Sequence, residues 1–390
     1  MANIKIEKAE RLKKLPVYLF AELDNLKSEA KKKGVDIIDL GVGSPDLPAP
    51  SNIIKKAREE AANKNNHGYP SYAGMIEFRK TAASWYKERF NVDLDPETEI
   101  LALIGSKEGI GHIPLAFINE GDVVLVPDPG YPVYQTGTIF AGGIPYFMPL
   151  LRENNFFPDF KKIDKEVLKK SRLMFINYPN NPTTAVANKE FFEETVDFAS
   201  KNNIIVCHDA AYSEIFYNKR VISFLEIDGA KDVGIEFHSF SKTYNMAGWR
   251  IGFAAGNKDI ISGLGQIKTN LDSGVFQAIQ LAAVEALKSP KEVKEEIVKI
   301  YQERRSLFVD GLIKLGWDVI YPEATFYVWV AVPSGLTSRE LTTILIKEAG
   351  IVAAPGVGFG KSGEGYIRFS LTIGKERLQE ALERMGTIKI

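Results

Sequence analysis

From residue 123 to residue 255 the chain alternates short apolar runs with longer amphipathic ones, and that rhythm restricts its fold more than any other feature. The runs Val123–Val126, Leu173–Asn177, Ile204–His208, Gly234–His238 and Ile251–Ala255 read as buried strands. Between or beside them lie helical patterns at Met75–Phe90, Lys189–Asn202 and Gln277–Lys288. Strands alternating with helices predict an α/β domain on a largely parallel sheet. Several of these strands end in polar residues before a turn, at Asn177-Tyr178-Pro179, His208-Asp209 and His238-Ser239. Ligands bind at the carboxyl ends of such strands, so the endings are expected to meet at one site.

The pattern changes near Lys291. A long charged helix, about Lys291–Leu315, leads into strand-like Val319-Ile320, Phe326–Val332 and Tyr366–Leu371, with a helix at Ser338–Glu348. A helix at Leu19–Lys33 and a strand at Asp36–Leu40 are expected to join this C-terminal unit. Since single cores stop growing near ~250–300 residues, 390 residues divide naturally into a large domain over 45–290 and a smaller α+β domain built from 1–44 and 291–390.

The chemistry centres on Ser239-Phe240-Ser241-Lys242-Thr243-Tyr244-Asn245-Met246-Ala247-Gly248-Trp249-Arg250. Two hydroxyls, Ser239 and Ser241, and the fork of Arg250 suit a phosphate. A partly desolvated lysine among them, Lys242, suits an imine-forming amine, because burial lowers the pKa of an ammonium. A phosphate beside such a lysine points to pyridoxal 5'-phosphate. That cofactor needs an acidic partner at its pyridine nitrogen, and Asp209, directly after a buried strand, is the candidate. Tyr212, one turn on, can reach the ring's phenolic oxygen, and Asn181 can meet it from the other side if the Asn177–Thr183 turn points inward. Gly105-Ser106-Lys107-Glu108-Gly109 joins the apolar run Ile100–Ile104 to a helix start, which makes an anion site with Ser106 and Lys107. Tyr131, in Asp128-Pro129-Gly130-Tyr131-Pro132, can stack on the ring or be a simple turn aromatic.

In this order the motifs resemble those of the class I/II aminotransferases, the aspartate aminotransferase superfamily of PLP fold type I. The resemblance spans nearly the whole chain, from Gly43-Ser44-Pro45-Asp46 through Tyr69-Pro70-Ser71-Tyr72-Ala73-Gly74 to Tyr366-Ile367-Arg368-Phe369-Ser370. It implies that Lys242 bonds the cofactor and shuttles the proton. By the same resemblance Asp209 contacts the pyridinium, Tyr212 and Asn181 the ring oxygen, and Tyr131 the ring face. Ser106, Lys107, Ser239, Ser241 and Arg250 would hold the phosphate, joined by Tyr69 from the partner subunit of a homodimer with shared sites. Arg368 would bind the substrate α-carboxylate and Gly43 would let the backbone close over it. Leu15-Pro16-Val17-Tyr18-Leu19-Phe20-Ala21 and Asp39-Leu40-Gly41-Val42-Gly43 resemble more narrowly the LL-diaminopimelate aminotransferases, in which Tyr18 would contact substrate. Aspartate, alanine and broad-range transaminases share much of that pattern. The family's Asn-Pro-Thr-Gly turn is Asn181-Pro182-Thr183-Thr184 here, which puts the turn geometry in question.

The expected reaction moves an α-amino group between an amino acid and a 2-oxo acid, with glutamate and 2-oxoglutarate as one couple. A β-lyase or decarboxylase would use nearly the same groups. Ser239-Phe240-Ser241-Lys242 also spells the S-x-x-K acylation motif, but its companion S-D-N and K-T-G strings are missing. Gly356-Val357-Gly358-Phe359-Gly360-Lys361-Ser362 falls one residue short of a phosphate-binding P-loop, with proline at 355, and reads as a mobile loop on the substrate side. A net charge of -1 offers no attraction to nucleic acid or anionic membrane. No run reaches the ~18–20 apolar residues of a membrane span, and Met1–Arg11 does not resemble a secretory signal, so a cytoplasmic location is expected. One cysteine, in the apolar run Ile204–Cys207, and four dispersed histidines suggest neither a disulfide nor a metal site.

Overall fold

The computed structural model describes residues 4–15 and 19–388. The expected central strands form, each within two residues of its predicted ends. Among the described residues the strands are β1 (Ile38–Asp39), β2 (Ile100–Leu103), β3 (Val123–Asp128), β4 (Ile144–Pro149), β5 (Ser171–Asn177), β6 (Ile205–Asp209), β7 (Gly234–Ser239), β8 (Gly252–Gly256), β9 (Tyr327–Ala331), β10 (Ile351–Val352), β11 (Ala354–Pro355) and β12 (Tyr366–Ser370). Seven of them make one sheet in the order β2-β8-β7-β6-β5-β3-β4. It is parallel except for β8, which runs antiparallel to both β2 and β7.

Side chains alternate across a strand, and on β6 that alternation decides what faces the site. Val206 enters a core with Phe78, Phe192 and Phe224 on one face of the sheet. Cys207 enters the opposite core with Ile110, Tyr134 and Leu264. His208 therefore returns to the first face, where its Nδ1 lies 2.6 Å from a Glu236 oxygen. Asp209, at the strand's end, turns toward Tyr134.

A second core lies apart from the sheet. Helix Lys291–Lys314 contributes Ile297, Tyr301, Phe308 and Leu312, and helix Ser338–Ala349 contributes Leu341 and Leu345. The N-terminal segment joins them through Ile38 and Leu40. Backbone bonds tie it there: Leu40 donates to Val352 at 2.9 Å, and Ser370 donates to Leu40 at 2.7 Å. Arg304 grips Asp46 with both terminal nitrogens, at 2.7 and 2.8 Å, where the chain crosses from this core to the sheet.

Some local expectations change. Val319-Ile320 is no strand; Val319 makes one isolated bridge to Val330, on the edge of β9 that faces away from β12. Sequence patterning overlooked β4 and the helices Ser51–Ala62 and Lys258–Leu271. In the last of these Gly263 and Gly265 weaken the helix signal, but capping by Asn257 and burial of Ile260, Ile261 and Leu264 outweigh that loss. The glycine-rich loop after β11 is pinned down: Ser362 donates to Asp128 from its backbone at 3.1 Å and its hydroxyl at 3.2 Å, and Gly130 donates to Phe359 at 2.8 Å.

Candidate active site

The carboxyl ends of β5, β6 and β7 open into a cavity of about 620 Å³ shared with the second core. Its lining includes Gly43, Ser106, Lys107, Tyr131, Asn181, Asp209, Tyr212, Ser239, Ser241, Lys242, Arg250 and Arg368. Residues separated by more than 300 positions are thus brought to one place by the fold. One expected residue among those described is not there. Tyr69 is 90% exposed, away from the cavity of its own chain, and Tyr18 lies outside the described residues.

Lys242 sits on the short helix Phe240–Thr243 that follows β7. Its Nζ donates to the Gly43 carbonyl at 3.0 Å. Burial lowers its pKa from the usual lysine value, and the positive charges of Arg368 and Arg250 push the same way, against the opposing influence of Tyr327 and Asp209. A lowered pKa leaves more of the amine unprotonated and nucleophilic at neutral pH.

Asp209 is almost wholly buried. Burial raises its pKa, while a hydrogen bond from the Tyr134 hydroxyl at 2.8 Å and another from the Ala211 backbone at 3.3 Å favour the carboxylate. Asn177 holds the strand end by donating to the Asp209 carbonyl at 2.7 Å. A buried acid with so few donors is poised to take a cationic ring nitrogen as partner.

The anion end is built from backbone geometry. Gly105, at φ +79°, precedes helix Ser106–Phe117, whose first residues Ser106 and Lys107 line the cavity, and a helix start favours an anion. A Cβ on Gly105 would stand 2.3 Å from Nη2 of Arg250, so only glycine leaves room for that guanidinium. Arg250 is fixed by donating to Ala247 at 2.8 Å and to Ile104 at 3.3 Å. Ser239 caps the helix carrying Lys242, its hydroxyl accepting from Ser241 N at 3.2 Å. Hydroxyls, a guanidinium and a helix start fit a phosphate.

At the other end Arg368 donates to Asn181 Oδ1 at 2.6 Å and to the Gly41 carbonyl at 2.8 Å. Its guanidinium lies 4.1 Å from the ring centre of Tyr327 and 4.7 Å from that of Phe359. Its buried Nε has no partner among the described residues, which suits a group awaiting a carboxylate. Since Oδ1 of Asn181 accepts from Arg368, its amide nitrogen remains as the donor toward a ring oxygen. The turn carrying Asn181 survives the loss of the family's glycine. Thr184 adopts φ +65° itself, held by its backbone bond to Asn180 at 3.0 Å while the Asn180 side chain accepts from Thr183 N and Oγ1 at 2.9 and 2.7 Å. The peptide bonds before Pro179 and Pro182 are both cis.

Sequence reading missed Tyr134, Asn177 and Tyr327. Tyr327 and Tyr212 share a hydrogen bond of 3.0 Å, and both line the cavity or touch residues that do. Asn177 was visible as a polar strand end; Tyr327 sits in an apolar run and Tyr134 at the start of a short helix among Gln135, Thr136 and Thr138, and neither carries a local signal. Glu108, His112 and Asp272 also come together, unforeseen from their spacing. The ammonium of Lys268 lies among them, 3.2 Å from Glu108 and 2.8 Å from Asp272, and supplies their countercharge.

A family model described as aminotransferase class I and II matches residues 35–385. The chain belongs to that family. It is 56% identical to an LL-diaminopimelate aminotransferase of Syntrophobacter fumaroxidans, covering 97% of this chain and 98% of the relative. Against the LL-diaminopimelate aminotransferase of Aquifex aeolicus the identity is 55%, over 98% and 100%. Substrate-bound BacF from Bacillus subtilis superimposes with a TM-score of 0.95 at 39% identity, covering 99% of each chain. The protein is therefore a pyridoxal-phosphate-dependent transaminase of fold type I, an α/β structure with a mostly parallel sheet. Its buried acid, its low-pKa lysine and its phosphate cradle fit that cofactor. Among the described residues no helix is long and apolar enough to cross a membrane.

Proposed function

We propose that this aminotransferase takes LL-diaminopimelate as its amino-group partner, with glutamate and 2-oxoglutarate as the other couple. Two relatives above 50% identity, matched over nearly their full lengths, carry the LL-diaminopimelate aminotransferase name, and that likeness carries the substrate reading. When bound, pyridoxal phosphate supplies a carbonyl carbon for an amine and a ring that withdraws electrons from the substrate's α-carbon. Asp209 keeps positive charge at the ring nitrogen. Tyr212 and the Asn181 amide donate to the ring oxygen, and Tyr131 covers the ring face. Ser106, Lys107, Ser239, Ser241 and Arg250 hold the phosphate. Arg368 clamps the α-carboxylate, while Gly43 lets the backbone approach and Tyr18 meets the substrate. With the cofactor bound, Lys242 would be the amine placed to take the α-proton and give it back, a role worth ~10²–10⁴-fold in rate.

The same reading includes a cytoplasmic homodimer and the division into a large domain, 45–290, and a small one, 1–44 with 291–390. Tyr69 is 90% exposed beside Tyr72, at 46%, and Phe276, at 41%. Gln277 ties these segments together by donating to Gly68 at 3.3 Å. Such an aromatic patch suits a second copy, to whose phosphate Tyr69 would donate. Mixing an inactive Lys242→Ala chain with an inactive Tyr69 variant should then restore some activity through hybrid dimers; a fully active monomer contradicts shared sites.

The substrate is tested by assaying LL-diaminopimelate, aspartate, alanine and aromatic amino acids against 2-oxoglutarate. Diaminopimelate is expected to turn over best. If it is inert while aspartate or alanine reacts well, the narrow assignment fails and the family assignment stands.

A further inference from the structure

Tyr327 connects the principal polar groups of the cavity although it belongs to β9, in the second core. Its side chain is buried. The hydroxyl lies 3.0 Å from that of Tyr212, and the ring lies beneath the Arg368 guanidinium at 4.1 Å. A Cβ placed on Gly43 would be 1.9 Å from the Tyr327 hydroxyl oxygen. The same Gly43 accepts from Lys242. The glycine is therefore required by the phenol as much as by any ligand, because the hydroxyl fills the space a side chain would take.

A phenol has one hydrogen. If Tyr212 spends its hydrogen on the cofactor's ring oxygen, its own oxygen can only accept, and Tyr327 is the donor within reach. We infer that Tyr327 is a positioning residue whose hydroxyl donates to Tyr212 and so commits the Tyr212 hydrogen to the ring oxygen. This rests on the proposed role of Tyr212. The donated bond also polarises Tyr212 and makes it the stronger donor. A donor at the ring oxygen stabilises negative charge there, so the proton shared between that oxygen and the lysine nitrogen is lost at lower pH.

The test is the pH titration of the visible absorbance of holoenzyme, with kcat and KM measured alongside. Tyr327→Phe keeps the ring under Arg368 and removes only the hydroxyl. The titration midpoint should rise by about half a unit to one unit, the equivalent of one ordinary hydrogen bond. The turnover number should fall while KM for the amino acid stays within about twofold, since the carboxylate clamp is untouched. Tyr212→Phe should raise the midpoint at least as far, and adding Tyr327→Phe to it should raise it no further. Gly43→Ala is a second route: both phenols remain, but the methyl must push Tyr327 off Tyr212, and the midpoint should again rise. If Tyr212→Phe shifts the midpoint while Tyr327→Phe and Gly43→Ala do not, Tyr327 is only filling space and the inference is overturned. If Tyr212→Phe itself shifts nothing, the role of Tyr212 fails first and the inference falls with it.

Discussion

Gly105→Ala tests the phosphate cradle without replacing any residue that would contact the cofactor. Gly105 has φ +79° and ψ 151°, backbone that essentially only glycine adopts, and placing a residue with a Cβ there costs ~1–3 kcal/mol. Restricting the unfolded chain returns ~0.4–1 kcal/mol, so the cofactor-free protein should lose roughly 1–2 kcal/mol. The larger effect is on Arg250. The new methyl would lie 2.3 Å from Nη2, whereas ordinary contact begins near 3.4 Å, so the guanidinium must retreat by about 1.1 Å. That movement breaks its 3.3 Å bond to Ile104 and takes it out of reach of a phosphate oxygen. A charge-assisted bond of ~1.5–3 kcal/mol corresponds to a roughly 10- to 150-fold weaker cofactor. Urea unfolding of the cofactor-free protein gives the first quantity, and titration of that protein with pyridoxal phosphate gives the second. Arg250→Ala should weaken binding similarly, and the double variant should be little worse than Arg250→Ala alone. Cofactor affinity in Gly105→Ala within twofold of the parent would refute the geometry, because the methyl could not then be displacing Arg250.

Arg368→Lys should raise KM for amino and oxo substrates together by roughly 10- to 150-fold, since a point ammonium cannot reproduce a bidentate clamp; steady-state kinetics showing a change in kcat alone would be incompatible with carboxylate binding. Asp209→Ala should reduce turnover far more than cofactor affinity, because the phosphate grip is separate, and near-normal turnover would leave Asp209 a strand-end residue only. For Lys242 the sign follows from its lowered folded-state pKa. Between that value and the unfolded value of 10.5 the unfolded chain binds more protons, so burial of Lys242 makes stability rise with pH across that window. Lys242→Met should therefore stabilise the cofactor-free protein at neutral pH, with an advantage that shrinks toward pH 10.5; urea unfolding at several pH values would show a constant difference if the lysine were not desolvated.

How much was legible in advance depended on whether a feature is local. Strands β3, β5, β6 and β8 announced themselves because burial on both faces favours apolar runs, and β7 through Ile235 and Phe237 alternating with Glu236 and His238. The Ser239–Arg250 segment was readable because its serines, lysine and arginine act within twelve consecutive positions. Asp209 and Tyr212 were readable because a polar pair after a buried strand needs a reason to be there. The domain division, the fold type and the expected roles drew further on resemblance.

Tertiary packing alone decided the rest. Tyr134 reaches Asp209 across 75 positions and Tyr327 reaches Tyr212 across 115, and a tyrosine inside a helix or strand looks the same in sequence whether its hydroxyl meets a functional group or not. Gly43 could be read from sequence as a place of close backbone approach, but not that Tyr327 makes the approach. Val319-Ile320 had strand composition yet made only one isolated bridge to the open edge of β9, while Lys258–Leu271 had two glycines and formed a helix because a buried face was waiting for it. Composition and periodicity report what each segment prefers; which segments meet is set by the packing of the whole chain, where burial of facing surfaces outweighs the few tenths of a kcal/mol by which local preferences differ.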